Sequence, residues 1–183
     1  MYPYMKQVAL WHTLEMMDKD RSDYIFFNDG DNKPDDKKVI GSTGGIYYNP
    51  GNKPDSVIRT MYMAMSKGGG GDAPENNIEA CLAAQKTGAK YSELIMIADN
   101  YSSVKDIELL PLLKVPVRVV VCGMDNGIHP DYLKIAYLTG GSVHTIEEDI
   151  MNLSNLHDGD TLTIGGKQYR FEKSNFFLVS KPT

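Results

Sequence analysis

Cysteine is scarce in this chain. Only Cys81 and Cys122 occur among 183 residues, each inside an apolar stretch. A disulfide framework is excluded by that count, and zinc by the absence of a second ligand at metal-site spacing, so both thiols read as small core residues. No apolar run approaches the length of a membrane span, no run of lysine and arginine is present, and the formal net charge is −5. A general nucleic-acid or anionic-membrane binder needs a basic face, so neither partner is expected; cations suit an acidic chain better. Glycine-rich phosphate and dinucleotide sites are also unsupported. No Gly-Lys-Ser/Thr follows Gly68–Gly71, and no Gly-x-Gly-x-x-Gly follows a first strand. No signal peptide is visible, which favours the cytoplasm, and there is no internal repeat or low-complexity linker.

What the chain does contain is an alternation of helical and strand patterns. Residues 4–19 carry Val8, Trp11, Leu14 and Met17 at helical spacing. A strand is expected at Asp23–Asn28 and a polar turn over 29–36. An irregular, glycine-broken strand is expected through Val39-Ile40 and Ile46–Tyr48. Pro54-Asp55-Ser56 opens a helix to about Lys67, with Val57, Met61, Ala64 and Met65 on one face. After the glycines, Pro74 suits the first turn of a new helix, with Asp72 or Ala73 near its cap and Glu75 set against its dipole. Ile78, Cys81 and Leu82 should face the core, and Gly88 should stop the helix.

Glu93–Ala98 and Val117–Cys122 read as buried strands, because their apolar runs do not alternate. A weak helical segment is expected at Val104–Leu113, and a helix at Asp131–Leu138 that Gly140-Gly141 closes. A short strand at Ser142–Ile146 and a final helix at Glu147–Leu153 should follow. The tail alternates around Gly165-Gly166 as a β-hairpin, with a further strand at Phe176–Val179. Tyr169, Phe171, Phe176 and Phe177 read as its core. The pattern predicts an α/β domain over residues 1–156, a mostly parallel sheet with helices on both faces, and an antiparallel appendix over 157–183. In such a sheet, ligands gather at the carboxyl ends of the strands.

The most informative stretch is Gly68-Gly69-Gly70-Gly71-Asp72-Ala73-Pro74-Glu75. About 25 residues later, Leu94-Ile95-Met96-Ile97-Ala98 ends on Asp99. Together with Phe26-Phe27-Asn28-Asp29-Gly30-Asp31, these segments make residues 1–153 resemble the von Willebrand factor A domain, in the type with a glycine-rich Asp-x-Pro-Glu loop. The resemblance implies a doubly wound, six-stranded sheet with one antiparallel edge strand. It also implies a metal-ion-dependent adhesion site that binds Mg²⁺ or a similar cation and leaves a coordination place for an acidic group of a protein partner. By position, Asp72 resembles the ligand of the second loop and Asp99 that of the third. For Asp72 a helix-cap role stands equally open, and for Asp99 the alternative is a cap on the next turn. Asp29 and Asp31 read as a solvated turn, with binding of a second cation as the alternative.

The chain departs from that pattern at its start. The Asp-x-Ser/Thr-x-Ser motif should precede the first helix, yet the helix pattern begins almost at Met1. The expectation is a truncated or mis-started version of a longer protein, or loss of the first strand, with a weak or vestigial metal site. A central slot left empty would expose backbone on both sides. Phe176–Ser180, or a strand from a neighbouring chain, is expected to fill it, so strand exchange or a homo-oligomer follows. The expected function is protein binding or scaffolding without catalysis. The competing class is a small cysteine-dependent hydrolase using Cys122 and His129, for which no third orienting group is evident. His12, His144 and His157 read as structural or solvated.

Overall fold

The computed structural model describes residues 23–69 and 71–179, so the helix expected over 4–19 lies outside the described residues. The protein is a mixed α/β structure with nine strands in three sheets among those residues. Strand β1 (Tyr24–Phe27) pairs antiparallel with β2 (Ile46–Asn49). Strands β3 (Leu94–Ala98), β4 (Val117–Val121) and β5 (Ser142–His144) run parallel in that order, and β6 (Asp149–Ile150) adds antiparallel to β5. The tail forms a third, antiparallel sheet of β7 (Thr161–Ile164), β8 (Lys167–Glu172) and β9 (Asn175–Val179).

Local chemistry accounts for the helices. Helix α1 (Pro54–Ser66) starts with proline, whose fixed φ and missing N–H suit a first turn, and it buries Val57, Met61 and Ala64. Helix α2 (Asn77–Lys86) buries Ile78, Cys81 and Leu82. Helix α3 (Pro130–Thr139) is capped by His129, whose ring accepts from Asp131 N–H, and it ends on Gly140 at φ 68°, a left-handed conformation that favours glycine.

The core lies between one face of the parallel sheet and the elements packed on it. Val117, Val119 and Val121 alternate inward from β4 and meet Leu133, Ile135 and Ala136 of α3. The tail sheet joins this same core through Ile164, Tyr169, Phe171 and Phe176. Tyr137 of α3 lies 4.7 Å, centroid to centroid, from the Phe171 ring, and Phe171 lies 5.1 Å from Phe176. The Tyr169 hydroxyl accepts from Ile128 N–H at 2.6 Å and donates to Ile128 O at 3.0 Å, tying β8 to the loop before α3.

Several expectations need correction. Only Ile46–Asn49 of the glycine-broken segment is strand. Val39 and Ile40 are exposed, because Glu79 draws the backbone N–H groups of Gly41 and Thr43 into a loop. Helix α2 begins at Asn77, after Pro74; Glu75 instead forms a parallel bridge with Val104, so it is not a dipole partner. The buried carboxylate of Asp106 takes the N–H groups of Ile78 (3.1 Å) and Glu79 (2.6 Å), a cap supplied from a distant segment. Residues 104–113 make a 3-10 turn over Ile107–Leu112. The expected final helix at 147–153 is strand β6 followed by a short 3-10 turn, because antiparallel pairing with β5 satisfies its backbone.

Strand β3 is buried on one face only. Met96 and Ala98 point inward while Ile95 is 50% exposed, since nothing among the described residues fully covers the second face. Phe176–Ser180 does not enter a central slot: its described part, β9, pairs with β8 throughout.

Two substitutions test this packing. A Cβ at Gly141 would lie 1.9 Å from Val117 O, so Gly141→Ala must push β4 and β5 apart. It is expected to destabilise by about 2–4 kcal/mol in a urea titration. Tyr169→Phe removes both bonds to Ile128 and should cost about 1–3 kcal/mol, read the same way.

Candidate functional site

The C-terminal end of β1 delivers Asp29, which is fully buried (0% exposed) rather than part of a solvated turn. Three segments converge on it. Lys38 from the loop between β1 and β2 forms an ion pair with it. Lys105, after β3, donates to Asp29 Oδ2 at 2.7 Å and to Asp72 Oδ1 at 2.5 Å. Asn76 Nδ2, just before α2, donates to Asp29 Oδ1 at 2.7 Å. Lys38 also binds Asp35 at 2.6 Å and reaches Asp72 at 3.8 Å.

The glycine loop reaches this cluster because parts of it cannot carry side chains. Gly68 sits at φ 118°, where a Cβ would lie 2.0 Å from Asn32 Oδ1. Gly71 sits at φ 132°, with Asp35 Oδ1 3.1 Å from the Cβ position. The loop thereby lies against the 30s turn and presents Asp72 to Lys105.

Carboxylate oxygens of Asp29, Asp35 and Asp72 lie within 4.8 Å of one another. Two ammonium groups already lie on those oxygens, so the donor set does not fit a divalent ion; a metal would have to displace Lys38 and Lys105. Burial works to raise the Asp29 pKa. Hydrogen bonding to Asp72, Lys105 and Lys38, with the charge on Lys105, outweighs it and holds the group at about 2. Both lysines are raised: burial opposes this, and the hydrogen bonds and charges of their aspartate partners overcome it.

Asp72, expected as a metal ligand, is in this cluster. Asp99, expected as the second ligand, is not among its three carboxylates; its Oδ1 accepts from Tyr101 N–H at 3.2 Å in the turn that follows β3. Asp31 also lies outside the group. It accepts from Asn28 Nδ2 at 3.0 Å and from the Tyr47 hydroxyl. The sequence reading missed Lys38, Lys105 and Asn76, which no motif marks. The one available signal was a lysine and an aspartate, Lys105-Asp106, following a buried strand at its ligand-gathering end.

Glu75 lies near these carboxylates, and its Oε2 is buried with no hydrogen-bond partner among the described residues. Burial and the nearby charges of Asp29 and Asp72 raise its pKa to about 7, against an opposing effect of Lys105.

The two other chemical constellations are less able to react. Cys122 and His129 share no hydrogen bond among the described residues; burial raises the Cys122 pKa, and the His129 ring is engaged in capping α3. A serine–histidine–aspartate relay exists on β5 and β6. Ser142 Oγ lies 2.8 Å from His144 Nε2, and His144 Nδ1 lies 2.7 Å from Asp149 Oδ1. Ser142 is 6% exposed at the start of its strand, and the His144–Asp149 contact ties β5 to β6.

Comparison of the chain with family models, with curated proteins and with solved structures returns no match.

Lys105→Met removes the group shared by Asp29 and Asp72. It should cost about 3 kcal/mol, because a buried charge loses a partner. The Asp29 pKa is lowered on folding, so its contribution is present above about pH 4 and lost as pH falls toward 2. An acid titration followed by circular dichroism should therefore show Lys105→Met unfolding at higher pH than the wild type.

Proposed function

We propose that this chain is a protein-binding or scaffolding domain of the von Willebrand factor A type, with an incomplete adhesion site. Carrying this proposal is the clasp at the strand ends. Asp29 and Asp72 are gathered at the carboxyl end of the sheet, where the family's cation would lie, but lysines 38 and 105 neutralise them. A carboxylate cluster closed by its own cations favours a structural or partner-presenting role over metal-dependent chemistry.

The doubly wound sheet is part of the same proposal, and the relation of β1 to β3 supports it. At their N-terminal ends Tyr91 Oη donates to Asp23 Oδ2 at 2.7 Å; at their C-terminal ends Lys105 reaches Asp29. The two strands thus run side by side in the same direction. Each has a single strand partner among the described residues, β2 for β1 and β4 for β3, on its far side. Hydrogen-bonded strands lie about 4.8 Å apart, and long side chains are not needed to bridge them. A tyrosine and a lysine spanning the ends suit a separation one strand wider, with the order β2-β1-slot-β3-β4-β5-β6.

Near the clasp the turn after β3 presents Tyr101, 82% exposed, two residues beyond Asp99. An exposed aromatic on a loop at the ligand-gathering end of a sheet suits a contact with another protein.

Calorimetric titration with Mg²⁺ and Mn²⁺ tests the incomplete site. No micromolar binding is expected from the chain as it stands, and a clear micromolar isotherm would contradict the proposal. Alkylation of Cys122 separates binding from the cysteine-hydrolase alternative. Partner binding should survive it, and loss of an esterase turnover on alkylation would favour the enzyme.

A further inference from the structure

The phase of the hydrogen bonds shows which backbone groups face the space between β1 and β3. Asn28 N–H bonds to Gly45 O at 2.9 Å, one residue beyond the Phe27–Ile46 pair. Bonded pairs alternate along an antiparallel ladder, so Phe26 directs its N–H and C=O to β2, while Ile25 and Phe27 direct theirs away from it. On β3, Leu94 N–H bonds to Pro116 O, and Ala98 O accepts from Cys122 N–H, both at 2.8 Å. Leu94, Met96 and Ala98 therefore bond to β4, and Ile95 and Ile97 turn their backbone groups the other way. With β2 and β4 on the far sides, the backbone groups of Ile25 and Phe27 face those of Ile95 and Ile97 across the slot. None of the four pairs with another strand there among the described residues. Such rows of backbone groups are a template for one more strand.

Asn76 and Asn77 mark the carboxyl end of the slot. Asn76 Nδ2 donates to Asp29 Oδ1 at the end of β1, and Asn77 Nδ2 lies 3.9 Å from Met96 Sδ of β3. Two consecutive residues thus reach both walls. They are 0% and 2% exposed, and the Oδ1 of each is buried with no hydrogen-bond partner among the described residues. Buried acceptors of this kind call for an N–H or O–H donor placed between the walls.

We infer that the slot is a strand-acceptor site for an extended, apolar segment of a partner protein. Each wall offers two residues, two apart, which fits an added strand of about five residues. One face of that strand adjoins Met96 and Ala98 in the core, and the other adjoins Ile95 and Ile97. Branched apolar side chains on both faces therefore suit it. A second copy of this chain is less suited as the donor, because its apolar tail strand β9 is held by β8. The inference rests on the strand order proposed above and not on the state of the adhesion site.

The probe is an acetylated, amidated peptide, Lys-Val-Ile-Val-Val-Val-Lys, added to the full chain. Amide hydrogen exchange is followed by NMR with and without it. At a peptide concentration about tenfold above its Kd, protection of the Ile25, Phe27, Ile95 and Ile97 amides should rise about tenfold. The Met96 and Ala98 amides, already bonded to β4, should change far less. The same peptide N-methylated at its central valine loses ladder donors and should bind at least about tenfold more weakly. Protection of the four amides before any peptide is added would mean that no slot exists, and the proposed strand order would fail with it. Unprotected amides that stay unprotected with peptide would overturn the acceptor site alone, as would equal binding of the N-methylated peptide. A concentration-dependent dimer in sedimentation that the peptide does not dissociate, with the four amides protected only in the dimer, would place a second copy in the slot and overturn the assignment to a partner protein.

Discussion

The buried charge of Asp29 is the constraint on which the arrangement of this protein depends. A carboxylate removed from water needs partners, and no single neighbouring segment supplies enough of them. Asp29 obtains them from three places in the chain: Lys38 from the loop before β2, Asn76 before α2, and Lys105 after β3. Satisfying one side chain therefore fastens together the β1–β2 pair, the glycine loop and the parallel sheet. No backbone ladder joins β1 to β3 among the described residues, so these side-chain bonds, with the Tyr91–Asp23 bond at the opposite end, carry that connection.

Around this polar clasp the packing follows a simpler rule. One face of β4 is wholly apolar, and α3 and the tail sheet both pack toward it. The tail is bound to the rest of the core by aromatic contacts and by the two bonds of the Tyr169 hydroxyl. The opposite face of the parallel sheet is treated differently. It carries Ile95, the Arg118–Glu93 ion pair and the Ser142–His144–Asp149 relay, whose members bond to one another. The serine of that relay is 6% exposed.

The polar end of the molecule joins electrostatics to loop position. Glycines that tolerate close approach bring Asp72 to Lys105, and the same approach buries Glu75 beside two other carboxylates. In this site Lys38 and Lys105 lie on the carboxylate oxygens of Asp29, Asp35 and Asp72.

Much of the scaffold was legible in residue patterns. Apolar runs at Leu94–Ala98 and Val117–Val121, the proline starts of α1 and α3, and the Gly165-Gly166 turn each depend on neighbours a few residues apart. What the pattern could not decide were choices between locally equal options. Glu147–Leu153 suits a helix by itself, but pairing with β5 satisfies its backbone as a strand. Pro74 suits a helix start, but Asp106, some thirty residues on, binds the first N–H groups of a helix that begins at Asn77. Phe176–Val179 is apolar enough for a central slot, but β8 offers an antiparallel ladder only two residues away. The pairing of Asp72 with Lys105 rather than with Asp99 lies in the same class. Sequence alone determined the local elements, the apolar strands, proline helix starts and glycine turns that depend on near neighbours. Tertiary structure decided which side chains share a charge, because electrostatic partnership depends on distances of a few ångströms between segments far apart in the chain.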